Sequence, residues 1–148
     1  MELDNKDSQI LHLLKEDARL TVAKIAKKLN MPITTVHNRI QKFRKEGIIK
    51  NYTINLDYPK IGKEVYAYIL VSATYNLPGN RKRDQETIMK DINKLELVEE
   101  VCTVTGLIDI IVKLRCANIA ELNEFLIKKL RPIEGVDKTQ TLIVLDTT

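Results

Sequence analysis

The spacing of apolar residues changes once along this chain, and the change predicts two kinds of structure. Up to Gly47, apolar residues recur every three or four positions, which is the period of one face of an α-helix. From Ile49 they alternate with polar residues, which is the period of a half-buried β-strand. The pattern therefore predicts a helical part first and a strand-containing part after it.

The first part is predicted to contain three short amphipathic helices. Asp4 is a good N-cap for helix 1, which is expected to end near Asp17, and Thr21 is a good N-cap for helix 2. Asn30 tolerates the left-handed conformation that ends a helix, and Pro32 can start a helix but cannot continue one. So short a connection between helices 2 and 3 is typical of a helix-turn-helix.

Helix 3 is predicted to bury Ile33, Val36, Ile40 and Phe43 on one side and to end at Gly47. The alternation from Ile49 predicts a strand that trails the helices. We therefore expect a winged-type helix-turn-helix domain in residues 1–57, followed by a hinge in residues 58–64 that contains Pro59 and Gly62.

The apolar pattern of the remaining residues, 65–148, predicts an α+β domain of the ferredoxin-like type, with the order βαββαβ. Its predicted elements are a strand (65–74), a helix (about 84–95), two strands (98–105 and 107–115), a helix (119–130) and a last strand (136–146).

The first of these strands is apolar on both faces. Val65, Ala67 and Ile69 alternate with Tyr66 and Tyr68, and none of them is charged. Helices can cover only one face of this sheet, so the second face needs a partner. A second subunit is the simplest partner, and we expect a homodimer formed through the C-terminal domain.

Positive charge is concentrated in one segment. The chain carries a formal net charge of +4, yet residues 21–50 hold eight basic residues and the single acid Glu46. Such a segment is typical of a protein that binds a polyanion, usually nucleic acid. A solvated basic helix face would show the same charge.

Helix 3 is predicted to turn a polar face away from its apolar side. In a helix-turn-helix the N-terminal half of this helix reads base edges, and cations nearby bind phosphates. The predicted base contacts are Thr34, Thr35 and Asn38, and the predicted phosphate contacts are Lys42, Arg44 and Lys45. The predicted interface with double-stranded DNA further includes Thr21, Arg39, Gln41 and His37, which either touches DNA or only flanks it.

Catalysis and metal binding are not predicted. Neither His12 nor His37 has the neighbours of a catalytic triad, and the chain has no glycine-rich phosphate loop. Cys102 and Cys116 lack a metal-ligand spacing and are expected to be reduced core thiols. No segment is apolar enough to span a membrane or act as a signal peptide, so we expect a cytoplasmic protein. We also expect no cofactor.

Asp109 interrupts an apolar strand directly after Thr105 and Gly106. One interpretation places its carboxylate at the mouth of the strand, where it accepts hydrogen bonds from the backbone of the Gly106 turn. The other makes it an anchor for the amino group of a ligand at a subunit boundary. The residues alone leave both open.

Four segments together resemble the Lrp/AsnC, or feast/famine, family of transcriptional regulators. The segments are LDNKDSQILHLLKEDARLT from Leu3, VHNRIQKFRKEGIIKNY from Val36, VTGLID from Val104 and EGVDKTQTLIVL from Glu134. Two features depart from the family pattern: Pro32 replaces a common serine N-cap, and Leu107-Ile108 replaces a pair that is often polar or aromatic.

The resemblance implies a sequence-specific DNA-binding regulator. It implies a dimer formed through the ferredoxin-like domains, with further assembly into tetramers or octamers in many members. It also implies an amino acid or related metabolite as effector, bound near Thr105, Gly106, Leu107 and Asp109.

Three other functions remain as alternatives. An RNA-binding protein can share the βαββαβ order, but it stacks bases on aromatic residues of its central strands, and the segment 107–114 has none. A small enzyme would need a nucleophile, a base or a phosphate loop. An amino-acid-binding module that does not act on DNA would leave the basic segment unexplained.

Overall fold

Side-chain and backbone caps bound the three helices of the first unit much as the sequence predicts. The computed structural model describes residues 2–146, with α1 at Asn5–Glu16, α2 at Val22–Leu29 and α3 at Ile33–Lys45. Asp4 caps α1, Thr21 caps α2, and Asn30 ends α2 in the left-handed conformation at a φ of 50°. Pro32 occupies the N-cap position of α3 and makes no side-chain hydrogen bond. The helix therefore lacks the capping bond that the family's common serine would provide at this position.

The three helices enclose a small apolar core. Its buried members are Ile10 and Leu14 from α1, Ile25 and Ala26 from α2, Met31, and Val36, Ile40 and Phe43 from α3. The prediction for Ile33 is wrong, because this side chain is 57% exposed. Ile33 is the first residue of α3, and Met31, just before the helix, is the residue that joins the core.

The strand predicted for residues 49–57 is not formed. Residues 50–57 have no regular secondary structure, and Tyr52, Ile54 and Leu56 are exposed. A strand needs a neighbouring strand to take its backbone hydrogen bonds, and within residues 2–146 no strand pairs with this segment. The chain divides after Leu56 into two compact units, and the second starts at Asp57.

The second unit contains the four-stranded antiparallel sheet expected of a ferredoxin-like domain. The strands are β1 (Val65–Ala73), β4 (Val98–Thr103), β5 (Ile110–Cys116) and β6 (Val136–Ile143), and their order in the sheet is β4-β5-β1-β6. A short hairpin of β2 (Asn76–Leu77) and β3 (Arg81–Lys82), which the sequence analysis did not predict, precedes the first helix of the unit. The helices are α4 (Gln85–Asn93) and α5 (Ile119–Glu124), and α5 continues as a π-helix over Phe125–Leu130.

Three strand limits differ from the prediction by two residues or more. β4 ends at Thr103 rather than at residue 105, β5 begins at Ile110 rather than at Leu107, and β6 ends at Ile143 rather than at residue 146. Gly106 has a φ of +131°, and the backbone N–H of Val104 donates to the carbonyl of Asp109 at 2.8 Å. This closed turn takes residues 104–109 out of both strands and leaves Leu107 fully exposed.

The helices cover one face of the sheet. Ala67, Ile69 and Val71 of β1 are fully buried, as are Ile110, Val112 and Leu114 of β5, together with Ile88 and Ile92 of α4. The other side chains of β1 and β5 lie on the second face and are half-buried. Of the two cysteines, Cys116 is buried but Cys102 is exposed, so the prediction of two core thiols is wrong for Cys102.

Across residues 2–146, every helix is too short or too polar to cross a bilayer.

Candidate nucleic-acid interface

The polar side of α3 is open to solvent. Val36, Ile40 and Phe43 turn into the core of the helical unit, which fixes the opposite direction outward. The predicted DNA contacts that are exposed on α3 are Thr34, His37, Asn38, Gln41, Lys42, Arg44 and Lys45. Among them are three cations and several side chains with hydrogen-bonding groups, so this surface, the α3 face, can bind phosphates and base edges together.

Two predicted contacts are less available than the rest. Thr35 is half-buried, and the hydroxyl oxygen of Thr21 accepts the backbone N–H of Lys24 at 3.3 Å. Thr21 is therefore engaged in capping α2, although its position at a helix N-terminus still suits a phosphate.

Arg39 is held inside the helical unit. Its Nη1 atom lies 2.7 Å from Oδ2 of Asp4 and 2.5 Å from Oδ1 of Asp7, both at the start of α1. The two aspartates also form a capping box, in which each carboxylate accepts the backbone N–H of the other. Sequence reasoning grouped Arg39 with the DNA contacts, because a helical wheel cannot show a partner more than thirty residues away.

The hydrogen bonds of this cluster favour the charged forms of Asp4 and Arg39. The backbone N–H of Asp7, and then the guanidinium of Arg39, lower the pKa of Asp4 below its usual value. The side-chain hydrogen bonds to Asp4 and Asp7 raise the pKa of Arg39. Among residues 2–146, Asp7 is the buried residue with a charged or polar side chain.

The loop between β4 and β5 carries the predicted effector residues. Thr105, Gly106 and Leu107 are exposed, whereas Asp109 is half-buried at the base of the loop. The Asp109 carboxylate accepts the backbone N–H of Ala73 at 2.8 Å and the hydroxyl of Tyr75 at 2.8 Å. Its hydrogen bonds therefore go to the end of β1, and the expectation of bonds from the Gly106 turn is wrong.

Two residues near Asp109 were missed by sequence reasoning. The side-chain amide of Gln85 donates to the backbone carbonyl of Asp109 at 3.0 Å. Burial, and then the hydrogen bond and charge of Asp109, raise the pKa of Tyr75. Tyr75 and Gln85 lie far from Asp109 in sequence, and no local pattern marks them.

The second face of the sheet combines aromatic and charged side chains. Tyr66 and Tyr68 of β1 are paired in register with Arg115 and Lys113 of β5. The Arg115 guanidinium lies 3.9 Å from the ring centre of Tyr66 and 4.2 Å from that of Tyr58, and its Nε is 3.4 Å from a Glu99 carboxylate oxygen. The Tyr66 and Tyr68 hydroxyls are hydrogen-bonded, and burial with this bond raises the pKa of Tyr66 to about 12. This sheet face is thus less apolar than β1 alone suggests.

Within residues 2–146, no group of three or more His, Cys, Asp or Glu side chains is arranged to hold a metal ion.

Family models match both units of the chain. A model described as the Lrp/AsnC ligand binding domain matches residues 67–148, more than half of the sequence. The chain belongs to the Lrp/AsnC family. A second model, described as winged helix-turn-helix DNA-binding, matches residues 3–50 of this Lrp/AsnC chain and includes all of α1, α2 and α3.

Relatives of this Lrp/AsnC chain are similar over nearly their whole length. An HTH-type transcriptional regulator from Pyrococcus furiosus is 39% identical over 146 residues, which cover 99% of this chain and 93% of the relative. The structure of Escherichia coli AsnC has a TM-score of 0.86 at 29% identity, covering 99% of this chain and 95% of AsnC. A transcriptional regulator from Neisseria meningitidis, solved in complex with L-Met, has a TM-score of 0.88 at 22% identity, covering 98% of this chain and 91% of that one.

Family membership and fold together confirm the general prediction. The protein is a helix-turn-helix transcriptional regulator of the Lrp/AsnC type, with a ligand-binding domain of the ferredoxin-like fold. The homologues are transcriptional regulators, and the enzyme alternative has no support among them.

Proposed function

We propose that this protein binds operator DNA as a twofold dimer and that the α3 face reads the sequence. The observation that carries the proposal is the division of α3 into a buried apolar side and an exposed polar side that bears three exposed basic side chains. Asn38 and Thr34 lie in the N-terminal half of α3, where a helix-turn-helix contacts base edges. Lys42, Arg44 and Lys45 follow and serve as phosphate contacts.

The sheet face supports the dimer. Tyr66, Tyr68, Leu70 and Ile111 lie on it, opposite to the side that the helices of the second unit cover, and Leu142 of β6 is 44% exposed beside them. Tyrosine and arginine are the residues that most often anchor interfaces, and Arg115 is already ordered by two tyrosine rings. Because the face carries Lys113 and Arg115 as well as Glu99, a second copy related by a twofold axis offers it complementary charges. The resemblance to the Lrp/AsnC family supports further assembly of the dimers into tetramers or octamers.

Salt dependence of DNA binding tests the DNA proposal. Each phosphate neutralised by a cation releases counterions, so three cations on each of two subunits predict a slope of log affinity against log salt of about −5. The slope is measured by fluorescence anisotropy with a labelled duplex selected from genomic fragments. Lys90→Gln is the matched control and should leave the slope unchanged, since Lys90 pairs with Glu86 on α4, outside the helix-turn-helix. A binding constant that ignores salt contradicts the proposal.

An amino acid is proposed as the effector, with the Asp109 carboxylate as the anchor for its ammonium group. The matched ligand-binding model and the L-Met complex of the Neisseria meningitidis regulator support this proposal. Ala73 and Tyr75 each occupy one oxygen of the carboxylate, and each oxygen keeps further lone-pair capacity. Leu107 is fully exposed in the adjacent loop, which favours an amino acid with an apolar side chain.

Calorimetric titration with L-methionine tests the effector proposal. Asp109→Asn should weaken binding at least about tenfold, because the ammonium loses a charge-assisted hydrogen bond. Asp137→Asn is the matched control, an exposed aspartate of β6 for which we expect no change. Unchanged L-methionine binding by Asp109→Asn would contradict the anchor and leave Asp109 as a purely structural residue. Repeating the DNA measurement with L-methionine then shows whether the ligand alters operator affinity.

A further inference from the structure

We propose that Arg39 is a positioning residue for sequence reading: it bridges two aspartates of α1 and thereby sets the rotation of α3. This inference rests on the proposed DNA-binding function of the α3 face. It differs from the sequence-based prediction, in which Arg39 contacts DNA itself.

The contacts of Arg39 join α1 to α3 at one point. One guanidinium nitrogen lies within 2.7 Å of Asp4 Oδ2 and 2.5 Å of Asp7 Oδ1. The Arg39 side chain is 27% exposed and that of Asp7 only 10%. The aspartates are themselves fixed, because Asp7 N–H donates to Asp4 at 2.7 Å and Asp4 N–H donates to Asp7 at 3.1 Å. The Asp4 side chain is 53% exposed, so the capping hydrogen bonds, rather than burial, hold its carboxylate in place for Arg39.

Apolar packing determines which side of α3 is buried, but it does not fix the exact rotation of the helix about its axis. Val36, Ile40 and Phe43 meet Ile10 and Leu14 of α1 in the same core, and burial of apolar surface has little directional preference. Charge-assisted hydrogen bonds from a guanidinium to a carboxylate are short and directional. The Arg39 bridge thus adds a directional contact that fixes the orientation of the outward side chains of α3 more closely than apolar packing does.

The bridge lies beside the proposed reading residues. Thr35, Asn38 and Lys42 line the same shallow surface depression as Asp4, Asp7 and Arg39. Asn38 directly precedes Arg39, so a rotation of α3 that follows loss of the bridge moves the Asn38 amide with it. A bidentate contact to a base edge depends on such an orientation, whereas a lysine reaches a phosphate from many directions.

The charge of Arg39 is already neutralised. Two carboxylates contact one guanidinium, so the three side chains together carry a net negative charge. A guanidinium in this state contributes little to phosphate attraction or to counterion release when DNA binds. Arg39 and Lys42 should therefore behave differently when each is replaced, although they lie one turn apart on the same helix.

The test compares Arg39→Gln with Lys42→Gln on operator and on random duplexes. Arg39→Gln should lower operator affinity about tenfold, the effect of weakening one bidentate base contact of Asn38, and leave random-duplex affinity and salt slope unchanged. Lys42→Gln should weaken both duplexes similarly and flatten the slope by about one per subunit. Concentrations are normalised to the folded fraction, so that a loss of stability alone does not lower the measured affinity.

Asp4→Asn is the second variant and keeps the proposal testable if Arg39→Gln does not fold. Asparagine caps helices as well as aspartate does, so α1 is retained while Arg39 loses a charged partner. We expect operator affinity to fall relative to random-duplex affinity, and the salt slope to stay the same or steepen as Arg39 becomes available to phosphates.

Two results overturn the proposal. If Arg39→Gln weakens both duplexes equally and flattens the slope, Arg39 is a phosphate contact. If the folded variants keep the operator preference of the wild type, the bridge stabilises the fold and has no part in reading. Failure of the proposed DNA binding itself is distinguishable, because then the wild type shows neither operator preference nor a salt slope, and the positioning role fails with it.

Discussion

A fragment of residues 57–148 is expected to sediment as a dimer at micromolar concentration. The second unit is compact by itself, and its sheet face carries the half-buried Tyr68 and Leu70 and the exposed Leu142. Burying this face against a second copy removes apolar surface from water at about 25 cal/mol per Å². Analytical ultracentrifugation measures the outcome, and a monomeric fragment would contradict the proposed use of the face.

The complementary fragment, residues 1–56, is expected to bind operator DNA at least about a hundredfold more weakly than the full chain. A dimer joins two helix-turn-helix units, and such a linkage of two weak contacts raises avidity by about two to four orders of magnitude. In the full chain, Leu70→Lys should have the same effect by separating the subunits. Ile127→Lys is its matched control: Ile127 is 53% exposed on the helical side of the sheet, so a lysine there should leave both the dimer and DNA binding intact.

Local signals explain why the helical unit could be predicted closely. The capping side chains of Asp4 and Thr21, the left-handed Asn30 and the terminal Gly47 act within a few residues of the helix ends that they define. The same locality explains the ferredoxin-like order, since each strand and helix of the second unit has its own apolar period.

The failures arise where structure depends on distant partners. Residues 49–57 have the alternation of a strand, but alternation supplies no neighbour for the backbone. Leu107 has the composition of a strand residue, yet the turn closed between Val104 and Asp109 exposes it. Periodicity describes what a segment can form, and pairing decides whether it does.

The candidate sites show the same distinction. A helical wheel finds the exposed members of the α3 face, because exposure of a helix follows directly from its buried side. It cannot find that Arg39 meets Asp4 and Asp7, or that Asp109 is held by Ala73 and Tyr75, since these partners lie more than thirty residues away. The exposure of most α3 side chains was thus accessible from sequence, with Ile33 and Thr35 as exceptions, whereas the engagement of each charge required the fold.

Asn38→Ala and Lys45→Ala are expected to separate sequence reading from phosphate binding. The Asn38 amide can donate to and accept from a base edge at once, and a bidentate pair of this kind contributes about 1–3 kcal/mol of discrimination. We therefore expect Asn38→Ala to lower operator affinity at least about tenfold, with both subunits affected, and to leave binding to random duplexes nearly unchanged. Lys45→Ala should weaken both duplexes by a similar factor and flatten the salt slope by about one per subunit.

The comparison depends on position along one surface. Both residues are exposed on α3, but Asn38 lies in its N-terminal half and Lys45 is its last residue. A helix that enters the major groove by its N-terminal half brings Asn38 to the base edges and leaves Lys45 beside the backbone. Competition binding with operator and scrambled duplexes measures the ratio directly. Equal loss on the two duplexes for Asn38→Ala would assign Asn38 to the phosphates and would place the reading of bases elsewhere on α3, with Thr34 as the next candidate.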